Sequence, residues 1–354
     1  GGTGGHVFPG VAVARVLRGR GHDITLWLAG KAIERTSLAE GEFPVITLPA
    51  QGHAGPARLL ALVRAFRAGL RELRARPVEV LLAMGGYGAV GPVLAARRLR
   101  IPVVLHEPNV IPGRATAWLA PRAAAVSTGF AETGVHLRRA RWVYTGVPVR
   151  PELEAAAATP RDPPAVFTVL VMGGSQGAHA LNLLCVEAVC QLHRSGMPLR
   201  VTHLAGARDA DSVAAAYRAA GVPATVHGFL KDMAGAYAGA SVAVARAGAG
   251  SCAELALFGL PALLVPYPYA VRQHQRANAL AVAAAGAAEM MEQHALSVER
   301  LCAFLRSCAT QPERLAAMRQ AARSRAVSGA AGKLAELVEQ TAGPRSGTQR
   351  PAPD

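Results

Sequence analysis

Short apolar runs separated by longer amphipathic stretches set the pattern of this chain. Ile24–Ala29, Val80–Ala83, Val103–Leu105, Phe167–Val171, Val201–Leu204, Thr225–Val226, Ser241–Ala245 and Ala262–Val265 are too short for helices and read as buried strands. Between them the spacing predicts helices over Val7–Gly19, Ser212–Ala220 and Cys252–Phe258, and a helical, Arg-rich region from Gln293 to about Glu339. Strands alternating with helices predict an α/β protein whose parallel sheets are covered by helices on both faces. Pro151–Pro164, rich in proline and alanine, reads as an interdomain linker. The expected domains are therefore 1–148 and 165–342, joined by 149–164. The last helices are expected to pack back on the first domain, and the polar tail 343–354 is expected to be disordered.

One amphipathic stretch has two uses. In Pro56–Arg76 the apolar positions Leu59, Val63, Phe66, Leu70 and Leu73 repeat at three- and four-residue steps, with Arg64, Arg67, Arg71 and Arg74 running beside them. Such a stripe serves a core helix with a solvated flank, or a basic surface resting on anionic lipid headgroups.

Loops of small residues follow the strands. The chain opens on Gly1-Gly2-Thr3-Gly4-Gly5-His6, a loop type that normally follows a strand, so a few apolar residues are expected to be missing ahead of it. Met84–Gly91 contains Gly86, Gly88 and Gly91 in G-x-G-x-x-G spacing, with Glu107 about 20 residues further on, which admits a dinucleotide-binding reading. His106-Glu107-Pro108-Asn109 groups side chains able to handle protons or hydroxyls at the end of a strand. Gly173–Ala178 repeats the small-residue loop in the second half. Arg246–Ser251 does so again, and a helix start there favours an anion through its N–H groups and dipole. Glu254, expected within that helix's first turn, suits sugar hydroxyls because a carboxylate accepts two hydrogen bonds at once. Asp209-Ala210-Asp211 has the D-x-D form of some metal-dependent transferases, but it leads into a helix and reads as a cap. No His/Asp/Glu cluster has metal-ligand spacing, so neither metal nor cofactor is expected.

Composition narrows the choice of partner. A net charge of +15 over 354 residues calls for an acidic ligand: nucleic acid, anionic lipid or a phosphorylated substrate. Only 5% of residues are aromatic, too few for the stacking platforms of a single-strand nucleic-acid binder. The five cysteines are odd in number and form no C-x-x-C pair, which fits a reducing compartment. No signal peptide is expected ahead of Gly1. The apolar run Leu255–Val271 is broken by prolines and falls short of the roughly 20 residues a spanning helix needs.

Several stretches then agree in order across nearly the whole chain: GGTGGHVFPGVAVA, MGGYGAVGP, VVLHEPNVIPG, TGVPVR, VMGGSQGAHALN, DMAGAYAGAS, RAGAGSCAELALFGLPALLVPYPYA and QHQRANA. Together they resemble the MurG family of bacterial N-acetylglucosaminyltransferases. The resemblance implies a GT-B glycosyltransferase, two Rossmann-like domains facing across a cleft. It implies transfer of N-acetylglucosamine from UDP-N-acetylglucosamine to the muramyl sugar of lipid I, with inversion, on the cytoplasmic side of the cell membrane. The implied donor contacts are Ser175, Ala249, Gly250, Ser251, Cys252 and Ala253 on the diphosphate and nearby groups. Glu254 would read the ribose, Leu230 the uracil through its backbone, and Gln275 the sugar hydroxyls. Thr3, Gly4, Gly5, Asn109 and Arg150 would complete the donor site from the other side. The acceptor hydroxyl must lose a proton, and His6 and Glu107 are both candidate bases. The chain departs from the family pattern at Pro108, Val147, His179 and Ala247-Gly248-Ala249. A nicotinamide-dependent oxidoreductase and another UDP-sugar enzyme, such as an epimerase, remain as alternatives.

Overall fold

The computed structural model describes residues 4–29, 38, 41–48, 56–159, 164–174 and 178–343. The polar tail beyond 343 and the stretch before residue 4 lie outside these residues. The described residues build two large parallel sheets and a separate two-stranded parallel pair. In the first half, α1 (Gly4–Gly19) leads to a two-stranded parallel pair, β1 (Leu26–Leu28) with β2 (Val45–Thr47). After α2 (Pro56–Ala75) comes a four-stranded sheet in the order β3 (Leu81–Ala83), β4 (Val103–Glu107), β5 (Ala125–Thr128), β6 (Trp142–Tyr144). All residues of β4 and β5 are buried, as expected of central strands in a sheet covered on both faces.

Side-chain alternation assigns the two faces. Val103, Leu105 and Val126 pack beneath α2, α3 (Val90–Arg98) and α4 (Arg114–Leu119). Val104 and Ala125 pack beneath Ala12, Val13 and Leu17 of α1 and Leu334, Ala335 and Val338 of α13 (Ala330–Ala342). The second half is a six-stranded sheet in the order β12 (Ala288–Met290), β11 (Ala262–Leu264), β10 (Val242–Ala245), β7 (Thr168–Met172), β8 (Arg200–Leu204), β9 (Ala224–His227). One face carries α6 (His179–Arg194) and α11 (Val298–Thr310). The other carries α8 (Ala234–Ala238), α9 (Ala249–Leu257) and α10 (His274–Ala284). α7 (Ala210–Ala219) lies between β8 and β9, and α12 (Pro312–Ser324) precedes the return to the first sheet.

Three local expectations change. The stretch read as a linker contains a helix, α5 (Pro151–Ala158), because Pro151 sits where a helix start lacks partners anyway, and Glu152 and Glu154 complement its dipole. Gly91, counted in a dinucleotide pattern, is a packing glycine. A Cβ there would fall 2.7 Å from that of Ala65, so its absence lets α3 cross α2. In α2 itself Leu73 is buried, and Phe66 and Leu70 pack on the core beneath it. Leu59 and Leu60 are exposed at its start, and Arg64, Arg67, Arg71 and Arg74 all face solvent.

Candidate active site

The strand order reverses between β7 and β10. In an open α/β sheet the loops leaving such a point diverge and open a crevice at the strands' carboxyl ends. Gly173-Gly174 leaves β7 there, and Arg246-Ala247-Gly248 leaves β10. The second loop runs directly into α9, which begins at Ala249, a turn earlier than the sequence suggested. Gly248, in an extended conformation, accepts the first helical bond from Cys252 N at 2.9 Å. The N–H groups of Ala249, Gly250 and Ser251 lie ahead of that bond, at the positive end of the helix dipole. Because the helix starts early, Glu254 belongs to its second turn. This corrects the first-turn expectation: Glu254 stands one turn into the helix rather than at its open N-terminal turn.

Glu254 is half-buried, and its Oε2 accepts from the Tyr237 hydroxyl at 2.5 Å. Burial raises its pKa, against the pull of Tyr237 and the nearby positive charge of Arg150. Arg150 is contributed by the other half of the molecule. It donates to the Lys231 carbonyl at 3.1 Å and lies over the Phe8 ring, so one guanidinium touches α1 and the loop after β9. Leu230 is half-buried in that same loop. Gln275 is at the start of α10, and its Oε1 accepts from Tyr267 N at 2.9 Å. Thr3 and Ser175 lie outside the described residues.

Opposite the crevice stand the loops of the first sheet. Glu107, 3% exposed, accepts from Asn109 N and Nδ2 at 3.1 and 3.2 Å and from Gly113 N at 2.9 Å. These bonds fold residues 107–113 back on themselves. Burial raises the pKa of Glu107, while its hydrogen bonds from Gly113 and Asn109 oppose the shift. Asn278 on α10, fully buried, then joins the two halves. Its Nδ2 donates to Asn109 Oδ1 at 3.0 Å and to the Ala247 carbonyl at 3.1 Å, and its Oδ1 accepts from Val110 N at 3.0 Å. Arg272 adds a second link, to the Pro112 carbonyl at 3.0 Å. Arg272 and Gln273 both hold positive φ angles, 53° and 52°, a conformation non-glycine residues rarely adopt and one that collects at functional loops.

His6 lies in the first turn of α1. Burial lowers its pKa to about 4, with smaller contributions from nearby positive charge that include His274 across the cleft. It is therefore neutral at pH 7. His106, one residue before Glu107, is also held neutral by burial, with its pKa near 3.

Sequence reading singled out neither Asn278 nor Tyr237. A signal for Asn278 was present: an asparagine, a weak helix former, in an otherwise apolar stretch of α10. Asp209 departs from its assigned capping role. It occupies the first position before α7 but makes no cap bond there. Its Oδ2 instead accepts from Asn182 Nδ2 at 2.9 Å and His179 Nδ1 at 3.0 Å, tying the start of α6 to the loop after β8. Asp211 is exposed. Among the described residues no three His, Cys, Asp or Glu side chains converge as a metal site would require.

Two parallel sheets with a donor-type crevice in one and proton-handling loops from the other define a GT-B glycosyltransferase. Residues 1–128 match the glycosyltransferase family 28 N-terminal domain, and residues 168–334 match its C-terminal domain. The chain belongs to the MurG family within glycosyltransferase family 28. It is 43% identical to a Methylobacterium nodulans protein named UDP-N-acetylglucosamine–N-acetylmuramyl-(pentapeptide) pyrophosphoryl-undecaprenol N-acetylglucosamine transferase, over 97% of this chain and 95% of that one. A Sinorhizobium medicae protein of the same name is 39% identical over 97% and 94%. The crystal structure of Acinetobacter baumannii MurG superposes with a TM-score of 0.80 at 31% identity, covering 96% of this chain and 97% of that one. A putative UDP-N-acetylglucosamine 2-epimerase from Listeria monocytogenes shares the fold alone, with a TM-score of 0.67 at 11% identity over 94% of this chain and 93% of that one.

Proposed function

We propose that this chain transfers N-acetylglucosamine from UDP-N-acetylglucosamine to the 4-hydroxyl of the muramyl sugar of lipid I, with inversion, giving lipid II for peptidoglycan synthesis. The observation that carries this reading is the similarity over nearly the full length to transferases named for that donor and acceptor, 43% identical over 97% of this chain. Residues 165–342 hold the donor, residues 1–148 meet the acceptor, and 149–164 connects them.

Inversion needs one in-line attack on the anomeric carbon. The leaving diphosphate gathers charge as its bond to that carbon breaks. The N–H groups of Ala249, Gly250 and Ser251 and the α9 dipole stabilise that charge where it develops, with Ser175, Cys252 and Ala253 alongside. Glu254 reads the ribose with Oε1, while Tyr237 fixes the carboxylate through Oε2. The backbone at Leu230 meets the uracil, and Gln275 meets the sugar hydroxyls. Asn109, Arg150, Thr3 and the start of α1 at Gly4 and Gly5 close the donor site from the first half. His6 is the base. It is neutral at working pH, whereas the carboxylate of Glu107 is spent on shaping its own loop.

The acceptor is lipid-linked, so the enzyme works at a membrane surface. Among the described residues no helix is long and apolar enough to cross one. Because helices run antiparallel to the strands they follow, the exposed Leu59 and Leu60 at the start of α2 lie at the pole where the catalytic loops emerge. The arginines beside them meet anionic headgroups on the cytoplasmic side. Supplying the protein with UDP-N-acetylglucosamine and lipid I tests the reaction. Lipid II should form as the β-linked product. Binding of NADH in place of UDP, or donor hydrolysis without transfer, would refute the reading.

A further inference from the structure

His106 carries an unused lone pair, and its hydrogen bonds show why. Alternation along β4 sends Val104 and His106 to the face covered by α1, the helix that begins beside His6. Gly85, with φ of 84°, lies between the two histidines. A Cβ built there would be 3.5 Å from both Nε2 and Cδ2 of His6 and 3.5 Å from the His106 carbonyl oxygen. His106 is 1% exposed. Its Nδ1 is 2.8 Å from Ser127 Oγ, on the residue directly opposite in β5. Ser127 Oγ is 2.6 Å from Thr145 Oγ1, and the Thr145 hydroxyl donates to the Gly146 carbonyl at 3.1 Å.

A hydroxyl has one proton to give. Thr145 spends its own on Gly146, so Ser127 donates to Thr145. Ser127 must then accept from His106, which fixes Nδ1–H on the imidazole. A neutral ring has a single N–H, so Nε2 is a bare acceptor. It is buried and has no hydrogen-bond partner among the described residues. Buried polar atoms left in this state are rare and call for a use.

We propose that His106 is a positioning residue for His6: the Thr145–Ser127 relay fixes its tautomer so that Nε2 accepts from the His6 ring nitrogen turned away from the acceptor hydroxyl, which leaves the other His6 nitrogen bare to take the proton and supports the ring as it becomes an imidazolium. The inference rests on His6 as the base. As the acceptor oxygen bonds to the anomeric carbon, its proton passes to one ring nitrogen of His6. The anomeric carbon–oxygen bond to UDP breaks, and its electron pair leaves with the diphosphate. His6, now carrying two N–H groups, donates one to His106 Nε2 and returns its extra proton to solvent after product leaves. His106 keeps its own proton throughout. A neutral acceptor suits this place better than a carboxylate, which would hold His6 charged before the reaction begins.

The tautomer is tested directly by nitrogen-15 NMR of the histidine rings of the full chain. His106 should show a protonated Nδ1 and an unprotonated Nε2, and the opposite tautomer would overturn the proposal. Thr145→Val frees the Ser127 proton to turn on His106 Nδ1. It should lower kcat about 10- to 100-fold, the range for a lost hydrogen bond to a charged group, with KM for UDP-N-acetylglucosamine unchanged. Thr145→Ser restores the hydroxyl and should restore kcat. Parent kcat in Thr145→Val would also overturn it. His6→Gln separates the two layers. If that variant keeps its kcat, His6 is not the base. If it loses kcat while Thr145→Val does not, only the relay fails.

Discussion

The six-stranded sheet and the four-stranded sheet share a parallel topology and end in small-residue loops, yet they treat charge in opposite ways. At the carboxyl end of the six-stranded sheet, helix α9 offers N–H groups and a positive dipole end, and Glu254 is steadied by Tyr237. In the proposed reaction that edge receives the diphosphate and the ribose hydroxyls. At the carboxyl end of the four-stranded sheet, burial strips charge from His6 and His106, and Glu107 spends its oxygens on backbone N–H groups. In the proposed reaction that edge is the one that takes a proton. One architecture thus yields a charge-stabilising edge and a neutral, basic one, and the difference lies in which polar atoms the folding of each loop consumes.

The sharpest break between the two edges is at His6. His6→Gln should lower kcat by about 10²–10⁴-fold, the usual contribution of a positioned base, and leave UDP affinity unchanged. Because burial puts the His6 pKa near 4, the base stays neutral down to that pH. At saturating donor the His6 limb of kcat should lie near 4, and a limb near 6.5 that His6→Gln removes would contradict the burial argument. On the opposite edge, Glu254→Ala should weaken UDP binding at least tenfold by calorimetry, in line with about 1.5–3 kcal/mol for hydrogen bonds to a charged group. An unchanged affinity in the folded variant would remove Glu254 from the donor site. Gly91→Ala tests the first half's scaffold. Forcing α2 and α3 apart should cost about 1–3 kcal/mol in denaturant titration, and full stability would return Gly91 to the list of loop glycines. The smallest effect belongs to the surface. Arg64→Gln should lower partition onto anionic vesicles about fivefold, since one arginine near such a surface contributes about 1 kcal/mol. Equal partition at low salt would move the membrane contact away from α2.

Most of this architecture was legible in the sequence because parallel strands buried on both faces read as unbroken apolar runs. β4, β10 and β11 declare themselves in this way. β6 does not, because Trp142, Val143 and Tyr144 are all exposed and the strand lies at the sheet's edge. α5 was hidden by its prolines, although a proline at a helix start is favourable. At the site, the loops and Glu254 were visible as local signals. The bonds joining Asn278 to Asn109 and Ala247 span the two halves, and no local pattern encodes a partner that distant. The α2 stripe shows the limit of periodicity itself. It marked the side facing the sheet, but not where along the helix that cover ends and Leu59 and Leu60 emerge.

The packing of α13 bears on the order in which the protein can be made. The face of the four-stranded sheet that carries Val104 and Ala125 is closed partly by α1, near the start of the chain, and partly by α13, near residue 342. A ribosome delivers α13 only after α1 and the whole six-stranded sheet. While the six-stranded sheet is being translated, the first half waits with one side of its core open to water. Its final collapse therefore has to wait for α13. The half that was translated first is completed last, and in the interval its uncovered apolar face is the surface a chaperone would meet.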